Sequence, residues 1–380
     1  MAIRNLYYQL NKDDFTSYLN SLRSHPDTIH LLNDGYFYHV DRNINLKLLE
    51  VHQLQWQIDT LISSFSTFGR NQLIQSFLLD EIEATNLIES IPSTRHDIFH
   101  VMRQVEHNNI TQLTSIVNGY RLLLENGGQK INSHDDIRKI YDELIGNSLN
   151  DSDRPDGTYY RKEPVYINDG TRNIHTGIAG EENIEQAMDE FLSVYNSSLD
   201  IYEKMILAHF LIETIHPYYD GNGRLGRFLF SNELYHQTGS SAAFLISGCL
   251  AARKSRYYRC FRDSRDIHEF GCVNEFVSGM LDILISGFRE IYEELIRHKQ
   301  KIDTLSDMPD LTGSESEIYH LLAEGTILSY IGLSQAEIKE ELGISKRTLI
   351  YALNHFREKE LLEETKIGRI GYIRLKEELL

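Results

Sequence analysis

The twelve residues from His216 to Arg227 bring together side chains that could carry out chemistry on a phosphate ester. They read His-Pro-Tyr-Tyr-Asp-Gly-Asn-Gly-Arg-Leu-Gly-Arg, which includes an imidazole, a carboxylate, a Gly-x-Gly turn and two guanidinium groups. An imidazole titrates near neutral pH, so His216 can accept a proton from an attacking hydroxyl group. The segment therefore predicts a site for phosphoryl or nucleotidyl transfer to a hydroxyl.

The second half of the segment favours the binding of phosphate groups. Gly221 and Gly223 allow positive φ angles and a close approach of the backbone to a ligand, and Asn222 adds an amide donor. A helix that begins here presents unpaired N–H groups, which attract anions. Arg224 and Arg227 lie three residues apart on that helix and can bind phosphate oxygens.

The carboxylate of Asp220 predicts a magnesium ion at the same place. A carboxylate repels bare phosphate, but Mg²⁺ bound between them neutralises both charges. Taken alone, a histidine before proline is usually a core residue and Gly-x-Gly an ordinary turn. The seven residues together favour the phosphate site.

Helices must hold this segment in place, because helical periodicity dominates the chain and only 6 prolines interrupt it. From Ile201 to Ile215, apolar residues recur at intervals of three and four, which predicts a helix with one buried stripe leading into His216. A second helix is predicted to begin near Arg224 and to end before Gly239. The fold class that follows is mainly α.

One stretch between Tyr159 and Thr176 breaks the helical pattern. Val165, Tyr166 and Ile167 form a β-prone run, and the Asn168-Asp169-Gly170 that follows is a turn sequence, so we predict a β-hairpin. Further helices are predicted around His30-Leu31-Leu32 and over Leu46 to Ile58, Gln72 to Glu89, His96 to Glu125, Ser133 to Ile145 and Glu182 to Tyr195.

The C-terminal region has the pattern of a winged helix-turn-helix domain. Lys346 and Arg347 stand at the start of its third helix, where DNA-reading helices contact bases and phosphates. Residues 334–376 hold 9 basic and 7 acidic side chains, a balance of +2, so protein contact or dimerisation is the alternative to DNA binding. The helices are predicted at Glu315 to Leu322, Ser334 to Leu342 and Ser345 to Leu361, and a strand–turn–strand at Thr365 to Leu375.

The composition of the 380 residues is that of an ordinary globular protein, with 41% apolar and 25% charged residues. A net charge of -18 argues against broad affinity of the whole molecule for nucleic acid or membranes. The 3 cysteines lack paired or metal-binding spacing, and the N-terminus lacks a signal peptide pattern. We therefore expect reduced thiols and a cytoplasmic protein with no membrane segment.

The segment after His216 resembles the signature of the Fic family, His-x-Phe-x-Asp/Glu-Gly-Asn-Gly-(Arg/Lys)-x-x-Arg, and only Tyr218 departs from it. The resemblance extends over roughly residues 60 to 290. It also includes Ala208-His209, Glu213-Thr214-Ile215, the run from Gly157 to Arg161 and the pair Tyr257-Tyr258. With it, we expect an N-terminal helical region at 1–60, a Fic catalytic domain at 61–300, a linker at 301–316 and the winged helix at 317–380.

This resemblance implies an adenylyltransferase that moves AMP from ATP to a Ser, Thr or Tyr hydroxyl of a protein and releases pyrophosphate. It implies that the hairpin is a flap, whose residues Val165, Tyr166 and Ile167 dock the target by strand addition. A homodimer is a further expectation. In the implied site, His216 is the base, Asp220 binds Mg²⁺, Asn222 donates to the α-phosphate, Gly221 and Gly223 line the phosphates, Arg224 and Arg227 bind the β- and γ-phosphates, and Tyr257 and Tyr258 border the adenosine.

A second motif in the chain resembles the inhibitory helix of such proteins, which carries Ser/Thr-x-x-x-Glu-Gly/Asn. Thr85 and Glu89 match it and share one helix face, whereas Ser90 departs at the last position. A glutamate bound to Arg227 would repel the γ-phosphate; the alternative is an ordinary solvated carboxylate. Other open functions are a DNA-binding regulator that senses nucleotide, removal of AMP, and transfer of another phosphate-linked group.

Overall fold

The computed structural model describes residues 3–103, 111–168, 173–306, 311 and 313–376. These residues are mainly helical with small antiparallel sheets, as the sequence predicts. The chain divides into two compact units. The first comprises Met1–Gln55 and Leu79–Phe288, and the second comprises Trp56–Leu78 and Arg289–Leu380.

The N-terminal region contains a strand pair that the sequence did not predict. The helix expected around His30-Leu31-Leu32 is wrong, because β1 and β2 pair there in antiparallel register. Leu32, Asn33 and Asp34 all have positive φ, and Gly35 completes an Asn-Asp-Gly turn between the strands. The elements are α1 (Ile3–Gln9), α2 (Lys12–Arg23), β1 (Ile29–Leu31), β2 (Tyr36–Tyr38) and α3 (Arg42–Ser63).

Four helices follow, and the single helix expected from His96 to Glu125 is wrong. The described residues form two helices here, because Thr111 caps the start of the second helix. Its side chain accepts a hydrogen bond from the backbone N–H of Thr114. The expected capping box of Ser133 with Asp136 is confirmed. The helices are α4 (Thr67–Ile88), α5 (Arg95–Arg103), α6 (Gln112–Asn126) and α7 (His134–Leu144).

The predicted hairpin and the two helices that flank the chemical segment are confirmed. The hairpin strands pair antiparallel, while Asp169 and Gly170 of the expected turn lie outside the described residues. Helix α9 has the predicted bounds but is buried almost all round, so the expected single stripe is wrong. It lies at the centre of the first unit, so even Glu203 and Lys204 are buried. The elements are β3 (Tyr166–Asn168), β4 (Asn173–Thr176), α8 (Glu181–Tyr195), α9 (Ile201–Ile215) and α10 (Asn222–Thr238).

Three more helices complete this part of the chain: α11 (Ile246–Ala252), α12 (Lys254–Ser264) and α13 (Asn274–Ser306). The last one extends into the region whose polar composition predicted a linker from residue 301. Ile302 and Leu305 are buried there, which accounts for the continued helix. No helix in the described part of the chain has the length and apolarity needed to cross a membrane.

The second unit contains the three predicted helices and the predicted strand pair, together with a third strand that the sequence did not predict. Gly343 has φ 62 and joins the second and third of these helices by a tight turn. The sheet is antiparallel with strand order β5-β7-β6. The elements are α14 (Ser314–Leu328), β5 (Leu333–Ser334), α15 (Gln335–Leu342), α16 (Lys346–Glu358), β6 (Leu362–Ile367) and β7 (Ile370–Leu375).

Candidate active site

The loop between α9 and α10 places His216 at one end and the first turn of α10 at the other. His216 ends α9 in the left-handed conformation, with φ 53 and ψ 63, and its N–H still donates to Ile212. Gly221 precedes α10 with φ 81, a conformation that glycine adopts without strain. A Cβ atom at Gly221 would lie 2.7 Å from a side-chain carbon of Ile145, so the turn also needs the small residue.

The side chain of Asn222 holds this loop together. Its Oδ1 accepts from the N–H of Tyr218 at 2.9 Å, and its Nδ2 donates to the carbonyl of Tyr218 at 2.8 Å. The amide that the sequence offered to a phosphate is therefore engaged with the loop backbone. The backbone N–H groups in the first turn of α10 have no side-chain cap in the described structure, and such groups at a helix N-terminus attract anions.

Tyr218, which stands where the resembled signature has phenylalanine, packs inside the protein as an aromatic core residue. It is fully buried, and its ring stacks on Tyr141 with centroids 3.5 Å apart and 4° between the planes. Among the described residues its hydroxyl has no hydrogen-bond partner. Burial raises the pKa of Tyr218 far above its ordinary value, so the ring stays neutral. Tyr141 in turn donates to the carbonyl of Asp220 at 3.1 Å, so this aromatic pair supports the loop.

The carboxylate of Asp220 is half exposed at the mouth of the loop. One oxygen accepts from the N–H of Gly221 at 2.7 Å, and the other pairs with Arg224 at 3.0 Å. Within the described ranges, no group of three or more His, Cys, Asp or Glu side chains could hold a metal ion. A single carboxylate nevertheless fits Mg²⁺ that arrives with a nucleotide, because phosphate and water oxygens supply its other ligands.

The two arginines of the segment are both buried, but they differ in their partners. Arg224 contacts Asp220 within the loop, whereas Arg227 contacts the last turns of α4. Arg227 Nε donates to Thr85 Oγ1 at 2.9 Å, and Nη2 donates to the carbonyl of Thr85 at 3.1 Å and to Glu89 Oε1 at 2.7 Å. The guanidinium of Arg227 is thus already bound by the protein.

The Glu89 carboxylate also lies over the glycine turn. A Cβ atom at Gly223 would overlap the Glu89 carboxylate and would lie 3.0 Å from Arg227 Nη1. Burial on its own would raise the pKa of Glu89, but Arg227, with Arg224 and His216, holds it below the ordinary value. Glu89 is therefore ionised at neutral pH, directly beside the predicted phosphate site.

The C-terminal end of α4, just before Glu89, is hydrogen-bonded to α12. Ser90 has φ 58, in the region that favours glycine or asparagine, and it ends the helix. The hydroxyl of Tyr258 donates to the carbonyl of Ile88 at 3.1 Å, and Lys254 donates to Leu87 at 3.0 Å. These two bonds tie the C-terminal end of α4 to α12.

Tyr257 and Tyr258, expected beside the adenosine, differ in exposure. Tyr257 is buried and its hydroxyl lies 2.8 Å from His209 Nε2, while Tyr258 is 47% exposed. Burial lowers the pKa of His209 to about 3, with Arg227 adding to the effect, so this histidine is neutral. Only Tyr258 therefore presents a ring to a bound molecule, and adenosine binding stays a prediction.

The predicted flap residues lie where the hairpin leaves the core. The carbonyl of Val165 accepts from Gly177 at 3.1 Å, Tyr166 is 60% exposed, and Ile167 pairs with His175 in the ladder. The predicted DNA contacts, Lys346 and Arg347, are exposed at the start of α16, which belongs to the second unit.

Sequence reasoning missed two buried ionisable groups near the loop. Arg161 is completely buried and donates to the carbonyl of His216, although it was seen only as part of the motif before the flap. Glu81 is also completely buried, one helical turn before Thr85. Its carboxylate accepts from the N–H of Ser247 at 2.7 Å. The four-residue spacing from Glu81 to Thr85 to Glu89 was the available signal.

Comparison with known proteins identifies the region that holds the loop. Residues 131–234 match the model of the Fic/DOC family, so the chain contains a Fic/DOC domain. The match includes every residue from His216 to Arg227 but not Thr85, Glu89, Tyr257 or Tyr258.

Among curated proteins, the chain is similar to a probable protein adenylyltransferase of Aquifex aeolicus. The two are 23% identical over 158 residues, which is 42% of this chain. The matched part spans 44% of the relative, less than half of its length.

Two solved structures share the fold. One is a Fic family protein from Desulfovibrio desulfuricans, with a TM-score of 0.54 and 19% identity over 90% of this chain and 98% of the other. The second is a Fic domain containing signaling protein from Bacteroides thetaiotaomicron, with a TM-score of 0.50 and 15% identity over 65% and 96%. At these identities the likeness establishes the mainly helical Fic fold.

Proposed function

We propose that this protein transfers AMP from ATP to a hydroxyl side chain of a protein. One observation carries the proposal. The loop between α9 and α10 combines a histidine, an exposed carboxylate, an open helix N-terminus and two buried arginines, and its shape is fixed by Asn222. The name of the Aquifex relative supports the same reaction.

The reaction needs each of these parts in a separate role. The target oxygen attacks the α-phosphorus while His216 accepts its proton, and the bond from that phosphorus to the bridging oxygen of the pyrophosphate breaks. The N–H groups at the start of α10, with Arg224, hold the phosphates in line for this attack. Mg²⁺ held by Asp220 would neutralise charge on the phosphates.

The hairpin formed by β3 and β4 is the proposed docking element for the target. A hairpin has free edges, and an extended segment can add to one of them by main-chain hydrogen bonds. Exposed Tyr166 lies on β3. Such pairing depends little on side chains, so it places a hydroxyl near His216 without dictating a target sequence.

The contact of Glu89 with Arg227 is the proposed autoinhibition. The carboxylate occupies the guanidinium that a γ-phosphate would need, and its negative charge lies against Gly223. ATP would then bind with its phosphates out of line, and attack at the α-phosphorus would fail. Removal of the carboxylate should release the enzyme.

The test is incubation with Mg²⁺ and ATP labelled at the α-phosphate, followed by detection of label on protein. Glu89→Gly should label itself or added proteins strongly, and the double variant with His216→Ala should not. ATP labelled at the γ-phosphate is the matched control, because AMP transfer leaves that label in pyrophosphate. Protein labelled only from the γ-phosphate would contradict the proposal.

A second candidate function is DNA binding by the second unit. The outer face of α16 exposes Lys346, Arg347, Tyr351 and Asn354, a set suited to phosphates and base edges. We expect Arg347→Ala to weaken DNA binding. The slope of log affinity against log salt concentration should also fall by about one, because one phosphate contact is lost. Lys139→Ala, an exposed position on α7, is the control and should change neither. A mobility shift that does not depend on salt and is the same in Arg347→Ala and the wild type would favour protein contact instead.

A further inference from the structure

The side chain of Arg161 is completely buried, and each hydrogen bond described for its guanidinium goes to a backbone carbonyl. Nε donates to His216 at 2.9 Å, and Nη2 donates to Ile178 at 2.7 Å and to Ile215 at 3.5 Å. Nη1 donates to Glu163 at 2.5 Å. These acceptors come from three separate segments: the end of α9, the stretch before β3 and the stretch after β4.

The position of this charge is explained by the helix end it faces. The last carbonyls of an α-helix lack partners within the helix and carry partial negative charge. Arg161 donates to two such carbonyls, those of Ile215 and His216, and so caps the C-terminal end of α9. Burial lowers the pKa of Arg161, with Tyr219 and Asp156 opposing, but a guanidinium stays charged at neutral pH.

His216 needs this support because its backbone is strained. It has φ 53, and in the left-handed region a Cβ atom comes too close to the following carbonyl oxygen. Such strain persists only where surrounding contacts fix the backbone. The hydrogen bond from Arg161 acts on the carbonyl of His216 itself.

Main-chain and side-chain bonds together join the two ends of the hairpin to the end of α9. The backbone N–H of Arg161 donates to the carbonyl of Pro217 at 3.2 Å, and the backbone N–H of Ile178 donates to the carbonyl of Ile215 at 3.1 Å. Gly177 allows the close approach, since a Cβ atom there would lie 2.6 Å from Arg161 Nη2 and 3.0 Å from the Cβ of His216. The base and the root of the hairpin therefore meet at one guanidinium.

We propose that Arg161 is a positioning residue that holds His216 in its left-handed conformation and anchors both ends of the hairpin to it. One side chain then aligns the proton acceptor with the edge that docks the target. This inference rests on the proposed function, because it assigns His216 and the hairpin their roles in AMP transfer. It predicts a loss of turnover without a loss of ATP binding.

The experiment uses the full chain with Glu89→Gly as the active parent. Self-labelling is followed as a function of ATP concentration for the parent, Arg161→Lys and Arg161→Ala. A small misplacement of a catalytic group costs roughly 10²-fold in rate. We expect a fall of that order in the maximal rate for Arg161→Ala and a smaller fall for Arg161→Lys. The half-saturating ATP concentration should stay within about threefold, because none of the contacts described for the Arg161 side chain is with a phosphate-binding residue.

Chemical rescue separates positioning from a general effect on folding. Added guanidinium at millimolar concentration should restore part of the rate of Arg161→Ala and leave the parent unchanged. The fraction of each variant that binds Mg²⁺ and ATP, measured by calorimetry, should stay near that of the parent. Arg161→Ala at the parental rate would overturn the inference. A loss of rate that follows only a lower binding-competent fraction, without rescue, would do so as well.

Hydrogen exchange tests the same contacts without using activity. In Arg161→Lys, the amides of Ile178 and Gly177 should exchange at least roughly tenfold faster, since local opening exposes them. Amides in α6, remote in sequence from this junction, serve as the internal control. If the parent transfers no AMP, the proposed function fails and exchange still decides the role of Arg161. Unchanged exchange at Ile178 would reject it.

Discussion

Two buried arginines, Arg227 and Arg161, lie beside the candidate site, and they differ in the groups that bind them. Arg227 is bound by a carboxylate and a threonine from α4, whereas Arg161 is bound by carbonyls of the loop and hairpin. A carboxylate competes with phosphate for the same guanidinium, but a buried backbone carbonyl does not. Arg227 is thus suited to exchange its partner for a ligand, and Arg161 is suited to keep its partners throughout.

The largest expected effect comes from breaking the exchangeable pair. Glu89→Gly should raise AMP transfer by roughly 10- to 100-fold, which corresponds to a charge-assisted hydrogen bond of about 1.5–3 kcal/mol. The measurement is the initial rate of labelling from α-labelled ATP. Glu83→Gly, in the interior of α4, is the control because it also replaces a glutamate by glycine, and no contact with Arg227 is described for Glu83. Equal rates in the two variants would show that Glu89 is not the inhibitor.

The second prediction concerns the protonation of Glu81, which lies in α4 two helical turns before Glu89 and has a pKa shifted in the opposite direction. Burial raises the pKa of Glu81 to about 7, although the Ser247 and Gly248 N–H groups and Arg227 oppose the shift. Between pH 4.5 and 7 the folded state therefore holds a proton that the unfolded state has lost, and stability falls as the pH rises. The size of this effect is about 3 kcal/mol.

Glu81→Gln should remove that part of the pH dependence. Chemical denaturation at several pH values between 5 and 8 measures it, with Glu83→Gln as the matched control. A wild-type slope equal to that of Glu81→Gln would mean that Glu81 is ionised when buried. The distinction from Glu89, whose pKa is lowered, would then fail.

Thr85 tests how much of the contact depends on the hydroxyl. Thr85→Val keeps the shape but leaves Nε of Arg227 without its acceptor, which costs about 1–3 kcal/mol. We expect lower stability together with a partial rise in AMP transfer, smaller than in Glu89→Gly. Thr85→Ser, which retains the hydroxyl, should behave like the wild type. Full activation by Thr85→Val would assign the inhibition to Thr85 instead.

The smallest expected effect concerns Ser90. At φ 58 a glycine relieves about 1 kcal/mol of strain, so Ser90→Gly should raise the melting temperature by about 2 °C. Ser90→Ala keeps the Cβ atom and should leave the melting temperature unchanged. A decrease in Ser90→Gly would indicate that the serine hydroxyl, and not the backbone conformation, matters at this position.

Much of the fold could be predicted because local chemistry decides it. The bounds of α9, the cap at Ser133 and the hairpin after Val165 follow from periodicity, capping and β-propensity. The strands at Ile29 and Tyr36 were missed because a short helix was read from apolar residues, although Asn33-Asp34-Gly35 marks a turn. The full burial of α9 depends on its place among other helices, which no local pattern records.

The site was only partly predictable for a similar reason. His216, Asp220 and the arginines stand close together in sequence, so their types and spacing predict a phosphate-transfer site. Arg161 donates to main-chain carbonyls, and because every residue has one, the sequence does not show which carbonyls an arginine will contact. Asn222 was assigned to phosphate because its amide was visible, whereas its bonds to Tyr218 follow from the loop conformation.

The most direct test of the central claim is the intact mass of Glu89→Gly after incubation with Mg²⁺ and ATP, with or without a second protein. The account predicts a product heavier by one AMP, its linkage on a Ser, Thr or Tyr oxygen, and no such product when His216 is also replaced by alanine. An added phosphate alone, or an AMP adduct that forms equally well without His216, would contradict it.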